Sequence, residues 1–183
     1  MKIEIETRFL DIDKAALVSK LKALKAVDYG EVKLDEIIFY DKDLKWLDEH
    51  RLVKLRKKGD KISLTYKQNK SQQVDSTKEI EFNVSDMDEA TALLKELGLV
   101  AYRTIEKYRH SFTLDDVTLD IDTWPKIPTY VELEGGSVDE LKSVAGKLGF
   151  VWENRFDKDP RYVFKKYGYD FDKIKTVTFD RFE

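Results

Sequence analysis

Three times this chain writes Glu-x-Glu within a strand-like segment, and a helix-like segment follows each: Glu4-Ile5-Glu6, Glu79-Ile80-Glu81 and Glu132-Leu133-Glu134. Side chains two apart in a strand point to the same face, so each motif aims two carboxylates one way. The apolar residues between and beside them (Ile3, Ile5, Ile80, Phe82, Val131, Leu133) point the other way. One such pair could be the solvated side of a sheet. Three describe a surface that collects cations.

Basic strands follow the same rule. Lys54 and Arg56 oppose Val53 and Leu55; Ser63, Thr65 and Lys67 oppose Ile62, Leu64 and Tyr66. Lys107, Arg109 and Ser111 share a face opposite Tyr108 and Phe112, while Thr118, Asp120 and Asp122 oppose Val117, Leu119 and Ile121. A sheet with helices on one side and water on the other explains the alternation of any single strand. It does not explain why acids and bases gather on different strands. A chain of 183 residues with this much strand also cannot easily leave one whole face bare. A long antiparallel sheet can close on itself, which removes its edges and encloses one face. With the charged faces inside, the enclosure suits an anionic, metal-bound substrate, because carboxylates hold Mg²⁺ or Mn²⁺ while Lys and Arg hold phosphate oxygens.

The order of elements gives the fold class. A strand over 2–10 leads to a helix capped by Asp13, with Leu17, Leu21 and Leu24 at helical spacing before Gly30. Strands are expected near 32–41, 51–58 and 61–69, the last two joined by the turn Lys58-Gly59-Asp60, and again at 77–84. Ser85 with Asp88 reads as the cap of a helix through Leu97, stopped by Gly98. Strands near 102–113, 117–123 and 129–135 are broken by Asp115-Asp116 and Trp124-Pro125. A helix from Ser137 to Gly149 precedes an aromatic-rich remainder with a short helix near 160–167. This order predicts an α+β fold built on an antiparallel sheet. One domain over 1–183 is expected, with a helical or tail segment from about 150.

Composition bounds the function. Charged residues make up 38% of the chain, yet the net charge is only −3. That balance gives no basic field for nucleic acid and no like-charge tail. The absence of cysteine excludes disulfides, thiolate metal sites and a cysteine nucleophile. Neither a signal peptide nor a bilayer-spanning run is apparent, so a cytoplasmic protein is expected. A homodimer is left open. His50 and His110 stand alone and read as satisfied or exposed side chains. Tyr108, Phe112, Trp124, Trp152 and Phe156 read as core, and Arg155, Arg161, Lys165 and Lys166 as a solvated basic face.

The ordered series of acidic and basic pairs resembles the CYTH domain, the triphosphate tunnel metalloenzymes, which include class IV adenylyl cyclases and thiamine triphosphatases. Glu4-Ile5-Glu6-Thr7-Arg8 is similar to the N-terminal ExExK signature. Leu52-Val53-Lys54-Leu55-Arg56 and Leu64-Thr65-Tyr66-Lys67 resemble the basic strands, and Glu79-Ile80-Glu81 the mid-chain acidic pair. Lys107-Tyr108-Arg109 resembles the second K-x-R, and Asp122 with Glu132-Leu133-Glu134 the closing Asp…ExE pattern. Two positions depart from it: the signature lysine is Arg8, a planar fork rather than a point charge, and Phe39-Tyr40-Asp41 reverses the usual Tyr-Phe-Asp order.

The resemblance implies a closed antiparallel eight-stranded β-barrel, a tunnel, with helices packed outside. It implies metal-dependent hydrolysis of a triphosphate, tripolyphosphate or a small organic triphosphate, with Mg²⁺ or Mn²⁺ as cofactor. Glu4, Glu6, Asp122, Glu132 and Glu134 would be metal ligands. Arg8, Lys54, Arg56, Lys67, Lys107 and Arg109 would clamp the triphosphate, and Glu79 and Glu81 would hold a second ion or orient the attacking water. Two alternatives share the framework: an adenylyl cyclase making cyclic AMP and pyrophosphate, and a barrel that binds polyphosphate or nucleotide without turnover.

Overall fold

The structure, a computed structural model, describes residues 2–69 and 77–183, with side chains for 5–68 and 78–183. Nine strands form one sheet among these residues: β1 (Lys2–Phe9), β2 (Val27–Asp41), β3 (Arg51–Lys58), β4 (Lys61–Asn69), β5 (Thr77–Val84), β6 (Leu99–Leu114), β7 (Val117–Thr123), β8 (Tyr130–Gly135) and β9 (Thr176–Val177). Helices α1 (Lys14–Ala23), α2 (Lys45–Asp48), α3 (Met87–Glu96), α4 (Val138–Leu148) and α5 (Pro160–Lys166) connect or cover them.

Local chemistry starts and stops most elements where the sequence says. Asp13 accepts from the Ala16 amide at 3.0 Å to begin α1, and Ser137 accepts from Glu140 to begin α4. The left-handed residues Gly98 and Gly149 follow α3 and α4. Gly59 turns the β3–β4 hairpin, and Asp115 and Asp116, both at positive φ, turn β6 into β7. One cap differs by a residue: Asp86, not Ser85, accepts from the Asp88 and Glu89 amides at 2.8 Å. The short α2 was not apparent in the sequence, and β2 and β6 are longer than their patterns suggest.

The sheet order is β2-β3-β4-β5-β1-β8-β7-β6-β9, and β2 also pairs with β6. β1 to β8 pair antiparallel throughout; β9 adds to β6 in parallel over Thr104–Thr176 and Ile105–Val177. The result is a mixed α+β fold with an eight-stranded antiparallel sheet curled into a half-barrel. Among the described residues a fully closed wall is not present. There β1 meets β5 at Lys2–Glu79, Ile3–Lys78 and Glu4–Thr77, and β1 pairs with β8 from Ile5 to Phe9.

Alternation is obeyed with few exceptions. The outer faces of β1, β6, β7 and β8 lie under α1 and α4, where Phe9, Phe112, Leu119, Ile121, Val131 and Leu133 pack with Leu17, Leu21, Leu141 and Val144. α3 covers Phe39, Val53 and Leu55 through Leu94. β5 has less cover, and its outward Ile80 and Phe82 are 49% and 55% exposed. Tyr108, expected in the core, is also exposed and stacks loosely on Phe179.

The C-terminal segment does more than form a tail. Val163, Phe164 and Phe171 pack against Ile38, Tyr40, Ile105, Trp124 and Tyr130, which belong to the inward faces of β2, β6 and β8 and the end of β7. The segment therefore closes one end of the concavity. Reciprocal backbone bonds between Arg8 and Phe156, 3.1 and 2.8 Å, tie it to β1. Phe164→Ala should cost about 3–5 kcal/mol, read as a lower urea midpoint, because Phe164 is fully buried in this plug.

Candidate functional site

The inward faces enclose a cavity of about 330 Å³, within the range of small-molecule sites. Glu6 and Arg8 reach it from β1, Lys54 and Arg56 from β3, Lys67 from β4, and Glu79 and Glu81 from β5. Lys107 and Arg109 reach it from β6, and Glu132 and Glu134 from β8. Asp122 lies behind them, completely buried, bonded to Lys107 at 2.8 Å and to Arg109 at 2.6 and 2.7 Å. Glu4 has its backbone in β1, but its side chain is outside the described residues.

Bases and acids alternate around this cavity and hold one another. Arg8 Nη2 lies 2.8 Å from Glu6 and also bonds Glu132, while its Nη1 donates to the Lys158 carbonyl at 3.1 Å. Lys67 pairs with Glu79 at 2.8 Å, and Thr65 donates to Glu81 at 2.7 Å. Arg109 also bonds Asp120, which accepts from Ser111. Register sets like charges opposite each other as well: Glu6 faces Glu134 across β1–β8, and Asp120 faces Glu132 across β7–β8. Like charges opposite one another in a sheet are unfavourable unless a cation stands between them.

Sequence reasoning passed over several members. Glu36 of β2 is 3% exposed and bonds Arg56 at 2.6 Å. Its strand presents Glu36, Ile38 and Tyr40 inward, so no second acid two residues away flagged it. Arg161 and His50, taken as solvated or lone, line the plugged end, where Arg161 bonds Asp159, the Leu47 carbonyl and His50. Arg103 lies there too and donates to the carbonyls of Ile174 and Phe171. Trp124 also lines the cavity, with Lys107 Nζ 4.5 Å above its ring.

Burial alone would raise the carboxyl of Glu36, but Arg56, Lys107 and Lys54 hold it well below the usual carboxylate range. Glu132 is depressed in the same way, with Arg8 and Arg109 overcoming its burial. Lys54 behaves oppositely: burial first, then Arg56 and Lys67, lower its ammonium to about 7.

A divalent cation fits the donor set. The acids are hard oxygen donors, and Arg8 shows that carboxylates from two strands, Glu6 and Glu132, already converge on one positive charge. Among the described residues no three acidic or histidine side chains form a cage by themselves, since bases stand between them.

The CYTH domain model matches residues 2–162. The chain belongs to the CYTH family. Its fold is shared by a protein from Pyrococcus horikoshii, 23% identical over 88% of this chain and 99% of that one, with a TM-score of 0.75. A protein from Vibrio parahaemolyticus proposed as an adenylate cyclase is 12% identical over 90% and 98%, with a TM-score of 0.77. A Hippeastrum protein proposed as an adenylyl cyclase, described as having a dominant triphosphatase activity, is 16% identical over 91% and 96%, with a TM-score of 0.65. Among curated proteins no relative matches the sequence. CYTH proteins are triphosphatases or adenylyl cyclases that bind triphosphate substrates such as ATP and use divalent metal ions. Among the described residues of this CYTH chain, no helix is long and apolar enough to cross a membrane.

Because its folded-state carboxyl is depressed, Glu36 contributes stability that is fully present above the ordinary value of 4.5 and is lost as pH falls below it. Glu36→Gln should therefore cost about 3–5 kcal/mol at pH 7 by leaving Arg56 and its neighbours uncompensated. In urea titrations repeated at falling pH, the gap between variant and parent should close.

Proposed function

We propose that this protein is a Mg²⁺- or Mn²⁺-dependent triphosphatase that releases orthophosphate from tripolyphosphate or a small organic triphosphate. One observation carries the reading: carboxylates and bases from opposed strand faces line a single cavity, and Glu6 and Glu132 already share a cation there. Bases and acids nearly balance in that lining. A triphosphate therefore gains most when it arrives with cations of its own, which exchange for the internal pairs. Closure of the half-barrel would give the tunnel that the family resemblance implies.

Glu6, Glu132 and Glu134, with Glu4 from the same strand face and Asp122 behind, would hold the metal. When bound, the ion neutralises charge on the non-bridging phosphate oxygens. The chain's own residues do the rest. Arg56, Lys67, Lys107 and Arg109 bind the phosphate oxygens and fix the chain of phosphates for in-line attack. Arg8, anchored by Glu6, Glu132 and the Lys158 carbonyl, positions the terminal phosphoryl group against the acids. Glu81, oriented by Thr65, and Glu79, held by Lys67, face the attacking water and accept its hydrogen bond. The C-terminal plug excludes bulk water from one end.

A cyclase would also need a purine site. Trp124, buried as its reading as core requires, packs beneath Lys107 and against Phe164 and Phe171 and offers no open face to a purine, so hydrolysis is favoured.

Incubation with Mg²⁺ and tripolyphosphate, ATP or thiamine triphosphate should release orthophosphate without cyclic AMP. Cyclic AMP with pyrophosphate would replace this reading with the cyclase, and tight binding without product would leave only a binder. Glu6→Gln should abolish metal-dependent turnover while the circular dichroism spectrum stays native. Retained turnover in that variant would sink the metal assignment.

A further inference from the structure

The bases of the cavity are not equivalent. Arg56 is held by Glu36 at 2.6 Å, Lys67 by Glu79 at 2.8 Å and Lys107 by Asp122 at 2.8 Å. Arg8 bridges two carboxylates and Arg109 three. Among the described residues Lys54 has no carboxylate within ion-pair distance, although it is only 8% exposed and lines the cavity. The groups that face it are mostly cationic: Arg56 on its own strand, Lys67 from β4 and Lys107 from β6, with Glu36 of β2 as the acid acting through space. Its cross-strand neighbours, Ile38 and Thr65, carry no charge.

An ammonium placed this way differs from the arginines around it in one chemical respect. It can give up a proton, whereas a guanidinium cannot. Burial and the flanking cations bring it to about 7, where a group can both hold and release a proton at neutral pH. Lys107 also lines the cavity, but it is paired with Asp122 at 2.8 Å. Of these two buried lysines, Lys54 is the one without a carboxylate partner among the described residues.

We propose that Lys54 is the general acid of the reaction, donating an Nζ proton to the phosphate oxygen that departs when the anhydride bond breaks; this rests on the triphosphatase reading above. The water oxygen bonds to the terminal phosphorus. The bond from that phosphorus to the bridging oxygen breaks, and its electron pair passes to the bridging oxygen, which takes the proton from Lys54. The proton lost by the water goes to a β5 carboxylate, Glu79 or Glu81. That acid then releases a proton to solvent while the neutral amine takes one up, so one water is consumed and the residues return to their starting states. The bound triphosphate, being anionic, stabilises the ammonium before transfer and keeps it loaded.

Lys54→Arg keeps the positive charge and removes the transferable proton. With Mg²⁺ and tripolyphosphate, kcat should fall about 100-fold or more while KM changes little. The ratio of wild-type to variant kcat/KM should decline as pH rises through about 7, because ionisation of the substrate cancels in the ratio. Lys54→Met, which loses charge and proton together, should raise KM as well. Calorimetric binding of bis(methylene)triphosphate at pH 8, in buffers of different ionisation enthalpy, should show proton uptake by the wild type beyond that of Lys54→Arg. Wild-type turnover that Lys54→Arg retains, with the same pH profile, overturns the acid role and leaves the triphosphatase reading standing. Absence of turnover in the wild type overturns the triphosphatase reading and the acid role together. If Lys54→Arg does not fold, the wild-type calorimetry decides: no proton uptake on binding overturns the proposal.

Discussion

Several ion pairs of the cavity are also direct cross-strand neighbours. Arg8 faces Glu132, Glu36 faces Arg56, Lys67 faces Glu79 and Arg109 faces Asp122, each in register and each in contact. Strand pairing and charge pairing are thus one constraint. Slipping any of these strands by one residue would turn its charges toward the apolar exterior and its leucines toward the cavity. It would also strand the partner charge in a low-dielectric space, which is far more costly than the pair is worth. The network selects one register as much as it adds stability.

That arrangement explains how so many ionisable groups can occupy a small interior. Glu36 and Glu132 stay charged because bases converge on them, and Arg8 and Arg109 stay charged because carboxylates converge on them. The substrate's own charges and counter-ions can then be exchanged for internal partners without creating an isolated charge. Lys54 stands outside this exchange: it faces Thr65 and Ile38 and is held by charge at a distance.

Most of the acidic and basic strands were legible because a doublet at spacing two is a strong local signal. Glu6, Arg56, Lys67, Glu79, Arg109 and Glu132 all face inward as their alternation requires. Glu36 was not legible, because its inward neighbours Ile38 and Tyr40 are apolar and aromatic, and its role exists only once β3 brings Arg56 alongside. Arg103 and Arg161 were hidden for a related reason. Their partners are main-chain carbonyls of Ile174, Phe171 and Leu47, which no residue pattern announces. The curl of the sheet was expected from the length of strand, although among the described residues it stops at a half-barrel. The cap of α3 fell to Asp86 over its neighbour Ser85 because two adjacent candidates differ only in the chain's path into the helix.

The backbone bonds between Arg8 and Phe156 have a kinetic meaning. A residue of β1 is fixed in the cavity by one that follows β8 in the chain, and β1 itself pairs with β8, from which β2 to β7 separate it. Such distant pairings make folding slow, because loop closure must precede the contacts that reward it. The β3–β4 and β6–β7 hairpins are local, and the second brings Lys107 and Arg109 to Asp122 within itself. On a ribosome, therefore, Arg8 would wait beside Glu6 until β8 brings Glu132 to it.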